Sequence, residues 1–154
     1  MNLKTYSWGA VSADGLEYEF ISRGPRGDIR KVIQFVETGH PLVYNLAFGD
    51  SQNDGGIDDQ VRNDNGDRNM ILATVASAVR MFCDRYEDVY VFFTGSTPGR
   101  TRLYRMALTI HFDELSVKLE IYGLCTRRLT MVKFERGVAY LGFFVKRKSI
   151  KLDV

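Results

Sequence analysis

The chain has 154 residues, of which 45% are hydrophobic and 26% charged, an ordinary balance for one folded domain spanning 1–154. No apolar run approaches the ~20 residues that a membrane span needs, and residues 1–8 lack the apolar stretch of a secretory signal. These features predict a cytoplasmic protein with no membrane partner. The formal charge of +2 is unevenly spread. Residues 1–94 carry 9 Lys/Arg against 14 Asp/Glu, and residues 95–154 carry 12 against 5. A basic surface for a polyanion is one consequence; an acidic and a basic face that solvate the domain or meet in a homo-oligomer is the other.

In chain order, Tyr6, Trp8 and Ala10 alternate with small residues, and Leu16, Tyr18 and Phe20 alternate with Glu17 and Glu19. Period-two alternation gives one buried and one wet face, as in antiparallel strands. Asp14 and Gly15 form a hairpin turn between them. The turn at 24–28 leads to a third strand over 29–37 and a fourth over 42–48. Together these make a four-stranded antiparallel meander. Residues 49–68, rich in Asp, Asn and Gly, read as a long, mobile polar loop. A calcium loop does not fit. With Gly66 at the glycine position, Val61 and Leu72 fall where Asp and Glu ligands belong.

Ile71, Val75, Val79 and Phe82 fall at helical spacing, predicting a helix from Asp67 or Asn69 to about Tyr86. The continuous apolar run at 89–93 predicts a strand covered on both faces. Thr97 followed by Pro98 predicts a helix start, with the helix running to about Leu115. Strands follow over 118–124, 131–135 and 138–145, the last two joined by a hairpin turn at Arg136 and Gly137. Residues 146–154 form a basic tail. The expected class is α+β: meander, polar loop, helix, then strand–helix–strands, with two main helices packed on a curved sheet.

No motif fixes a reaction. Cys83 and Cys125 lie within apolar patterns and predict two buried thiols, as in a reducing cytosol. Metal-ligand spacings are absent, His40 and His111 stand apart from any nucleophile motif, and Asp113 and Glu114 read as solvated helix-end charges. No catalytic residue, metal or cofactor is therefore expected.

The segment 95–105 is the leading candidate site. A helix start presents unpaired N–H groups and the positive end of its dipole, where an anion sits well. Ser96, Thr97 and Thr101 add hydroxyls. Arg100, Arg102 and Arg105 add charge, with Arg102 and Arg105 on one face, and Tyr104 can stack on a base. The segment lacks the spacing of a Walker loop. A second basic turn contributes Arg26 and Lys31. The bland alternative is a capped helix whose arginines pair with acids such as Glu87 or Asp88.

Five stretches carry a resemblance: YEFISRGPRG at 18–27, VYNLAFGD at 43–50, NGDR at 65–68, LATVAS at 72–77 and GSTPGRTRLY at 95–104. Through them the chain resembles a family of uncharacterised small bacterial proteins met chiefly among Bacteroidetes, which implies no activity. The first half is also similar in topology to PUR-type and Whirly-type single-strand nucleic-acid binders. Three functions follow as expectations: a non-catalytic module for single-stranded nucleic acid or a phosphate ligand; a protein-interaction module, such as a toxin–antitoxin or regulatory partner; or an enzyme on a phosphorylated or nucleotide substrate.

Overall fold

The computed structural model describes residues 4–51, 57, 58, 66–127 and 129–149. Its strands are β1 (Ala10–Val11), β2 (Glu17–Gly24), β3 (Gly27–Glu37), β4 (Val43–Ser51), β5 (Ile57–Asp58), β6 (Tyr90–Phe93), β7 (Leu119–Leu124), β8 (Met131–Lys133) and β9 (Gly142–Arg147). Its helices are α1 (Arg68–Arg85), between β5 and β6, and α2 (Pro98–Lys118), between β6 and β7. All strands join one sheet, ordered β1-β2-β3-β4-β6-β9-β7-β8, with β5 paired to β4. The α+β class, the opening meander and the two helices on a sheet are as the residue pattern predicts.

Alternation sets the buried face. Tyr18, Phe20 and Ser22 of β2 point inward, as do Ile33 and Phe35 of β3. The α1 stripe, Val75, Val79 and Phe82, lies on them. The Phe82 ring, fully buried, stacks on Phe35 at 4.2 Å between centroids. Because β4 and β6 are parallel, they need a crossover, which α1 supplies.

Several expectations change. Tyr6 and Trp8 precede the short β1, and their rings pack against Phe20. Residues 49–51 extend β4 rather than opening a loop, and Lys146 and Arg147 belong to β9 rather than to a tail. Most of the predicted polar loop, and residues 150–154 of the tail, lie outside the described residues. The hairpin expected between the last two strands is absent, because β7 lies between β8 and β9 and pairs with both. Residues 134–141 instead lap over the helix-bearing face, burying Phe134 and Tyr140. Tyr140 sits directly on Gly123, where an added Cβ would lie 2.3 Å from the ring. Finally, β6 has its helices on one face only. Val91 and Phe93 are buried, whereas Tyr90 and Phe92 are only half-buried on the opposite side. A continuous apolar run reports low polarity and does not by itself say how many faces are covered.

Cys83 is buried within α1, and burial, with Asp84 nearby, pushes its thiol up to about 12. Cys125, expected to be buried as well, is half-exposed because it follows the end of β7. His111 is 6% exposed on α2 and lines a small apolar cavity between the helices. Its Nδ1 has no hydrogen-bond partner among the described residues. Burial lowers its pKa below 6.5, against an opposing pull from Glu114. The unfolded chain therefore takes up the proton first as pH falls through 6.5, so stability is complete above that value and declines below it. Denaturant titrations from pH 7 to 5 should show this decline, with a limiting slope of about 1.4 kcal/mol per pH unit. The His111→Leu variant should lose that component.

Candidate anion-binding cleft

The second helix begins where its local chemistry dictates. Thr97 is the N-cap in extended backbone, its side-chain oxygen accepts the Arg100 N–H at 3.2 Å, and Pro98 occupies the first helical position. Thr101 closes the junction from inside: its Oγ1 accepts the Gly95 N–H at 3.0 Å and lies 3.3 Å from the Thr97 carbonyl oxygen. At the β6 end, Thr94 donates its hydroxyl to the Leu141 carbonyl at 2.7 Å. Strand, helix start and the 139–141 segment are thereby tied together.

A cleft of about 410 Å³ opens between them, lined by Gly95, Ser96, Thr97, Thr101, Arg102 and Arg105 on one side and by Ala139, Tyr140 and Leu141 on the other. Arg102 is exposed and Arg105 half-buried. Among the described residues no acid forms an ion pair with either. Neither of the acids expected as partners, Glu87 and Asp88, pairs with them among the described residues; Glu87 instead lies 3.8 Å from Arg147. Two like charges held three residues apart with no described counter-ion favour an anion between them.

The cleft does not use every predicted residue. Pro98 has no N–H, Thr97 caps that of Arg100, and Gly99 does not line the cleft. The Thr97 and Thr101 hydroxyls are engaged in the junction itself. Arg100 is half-buried and does not line the cleft. Tyr104 turns inward and meets Phe93 edge-to-face at 5.3 Å, so it is no surface stacking platform. The anion-facing donors reduce to Ser96, Arg102 and Arg105.

Of the second basic turn, Arg26 is exposed at the β2–β3 tip and does not line this cleft. Lys31 is not a surface cation at all. It is 6% exposed and ion-paired with Asp50, its cross-strand partner on β4. Beside it Ser22 donates to Asp67 at 2.5 Å, and Tyr6 donates to the same carboxylate oxygen. Asp67 stands at the α1 N-cap position without capping it. Sequence reasoning missed this buried polar cluster, although alternation signalled it. Lys31 shares parity with Ile33 and Phe35, and Asp50 with Leu46 and Phe48, so both fall on the inward face.

Asp113 and Glu114, read as solvated, take part in surface pairs, with Arg136 at 3.3 Å and Arg80 at 3.4 Å. No group of three or more His, Cys, Asp or Glu side chains among the described residues is arranged to hold a metal. No described helix is long and apolar enough to cross a membrane.

The chain belongs to a family of unknown function, DUF6934, whose model matches residues 2–148. No curated protein and no solved structure matches it.

Proposed function

We propose that the protein is a non-catalytic, cytoplasmic binder of phosphate-bearing ligands, single-stranded nucleic acid first among them, and that the cleft beside α2 holds a phosphate group. The observation that carries this reading is the pairing of Arg102 and Arg105 on one cleft wall with no acid among the described residues to neutralise either. Guanidinium groups match phosphate oxygens in a bidentate fork, which suits them to this ligand better than lysines. The Ser96 hydroxyl adds an uncharged donor at the same mouth. The excess of basic residues over 95–154 draws a polyanion to this end of the molecule.

Binding of a labelled single-stranded oligonucleotide, followed by fluorescence anisotropy at 50 and 200 mM salt (about the range over which phosphate contacts are felt), tests the reading. Two phosphate contacts predict a drop of roughly sevenfold across that range, from a slope near −0.7 per contact on single strands. Absence of binding at the lower salt would remove the reading. A thermal shift with mononucleotides or inorganic phosphate but not with oligonucleotide would reassign the cleft to a small ligand.

A further inference from the structure

The sheet has a second face, and no described helix packs on it. Both helices and the aromatic side chains of the N-terminal arm join the core on the other side. On the open side stand Tyr90 and Phe92 of β6, Phe144 of β9 and Tyr122 of β7. The Phe92 and Phe144 rings are 4.8 Å apart, Tyr90 meets Phe144 at 6.3 Å, and Tyr90 meets Tyr122 at 6.2 Å. The contrast with their chain neighbours is direct. Phe93 and Phe143, pointing the other way, are 6% and 0% exposed, whereas all four of these rings are half-exposed and stand outside the core. An aromatic ladder with flanks packed and edges open is what a sheet presents when no layer covers it.

Charge says what would cover it. The Lys146 ammonium lies 5.8 Å from the centre of the Tyr90 ring. Lys133, exposed, is the cross-strand partner of Tyr122, and the exposed Lys148 continues the parity of Phe144 and Lys146. Beside the ladder Glu120 accepts the Tyr122 hydroxyl at 2.9 Å. Burial and that hydrogen bond push the Tyr122 phenol up to about 12, so it remains a donor. Asn45, the cross-strand partner of Phe92, adds an amide able to bond a base edge. Rings for stacking, lysines for phosphates and amide edges form the combination that single-stranded nucleic acid uses. A duplex keeps its base faces hidden, and lysines outnumber carboxylates around the rings, which favours an anionic strand.

We infer that this ladder is a base-stacking platform and that the ligand of the protein is a single strand with unpaired bases, phosphate-anchored in the cleft and stacked on Phe92, Phe144, Tyr90 and Tyr122. The inference rests on the phosphate-binding reading and specifies its ligand. Phe92 on the open face and Gly95 in the cleft are three residues apart, roughly 10 Å at the rise of a strand. A strand turning over the Thr94 edge can therefore occupy both.

The test compares a labelled oligothymidylate of about twelve nucleotides with an abasic deoxyribose-phosphate oligomer of the same length, using the full chain at low salt. The intact strand should bind about tenfold or more tightly than the abasic one. Phe92→Leu and Tyr122→Leu, which keep apolar area in the strand, should each erase much of that preference while leaving abasic binding unchanged. Equal affinity for the two ligands overturns the platform and leaves the cleft reading intact. No binding of either ligand overturns both. A dimer seen by sedimentation that these two variants dissolve, with no preference for bases, assigns the face to a second copy of the chain and also overturns the platform. The abasic comparison needs no variant, so a folding defect in one cannot hide the answer.

Discussion

Replacing Lys31 by methionine should destabilise the protein by about 3–5 kcal/mol, the usual cost of stranding one partner of a buried ion pair. Asp50 is 8% exposed and would lose the ammonium paired with it. Replacing Asp50 by leucine should cost a similar amount, because the ammonium is then the uncompensated charge. The double variant should be more stable than either single one, since it removes both charges and leaves apolar side chains on an apolar face. Guanidinium unfolding of the four proteins measures the coupling. Additive losses would mean that the two groups do not depend on each other. The site matters for the fold because Lys31 and Asp50 clamp β3 to β4 where Ser22 and Tyr6 hold Asp67 at the start of α1.

Gly95→Ala should be the most damaging single change at the cleft. An added Cβ would lie 2.3 Å from the Thr101 backbone nitrogen and 2.5 Å from the Arg100 carbonyl carbon. Those atoms belong to the first turn of α2 and cannot rotate away, so the junction must open. Overpacking of this kind costs about 1–3 kcal/mol, and here it also breaks the Gly95–Thr101 hydrogen bond. The expected result is a folded protein of lower melting temperature whose affinity for the phosphate ligand falls more than its stability. Pro98→Ala, which keeps the Thr97 cap, should leave affinity nearly unchanged. An alanine at 95 that leaves both stability and affinity intact would contradict the close approach.

Much of the fold was legible because local signals and tertiary structure agree. Thr97 and Pro98 place the α2 start by capping chemistry alone, and the spacing of Val75, Val79 and Phe82 places the buried face of α1. The insertion of β9 between β6 and β7 was not legible. Strand order is a non-local property, and a turn such as that at Gly137 serves a lap as well as a hairpin. At the candidate site, the spacing of Arg102 and Arg105 put them on one face, and the structure brings both to one cleft. Helix spacing already set Arg100 apart from that face, whereas no sequence signal marked the Thr101 hydroxyl as engaged by the Gly95 N–H or the Tyr104 ring as turned onto Phe93. Lys31 was misread because its basic neighbours in the turn drew more weight than its inward parity. The open aromatic face was hidden within runs such as Tyr90–Phe93, where inward and outward residues are equally apolar.

On the proposed reading Arg102 and Arg105 hold a phosphate of a single strand. The most direct measurement is the slope of log affinity against log salt for one oligonucleotide, taken with the unaltered protein and with Arg102→Ala/Arg105→Ala. Both side chains reach into solvent and carry no described ion pair, so the double variant should fold normally. Affinity should fall in the double variant and the slope become shallower by about 1.4, the equivalent of two lost phosphate contacts on a single strand. An unchanged affinity and slope would contradict that reading.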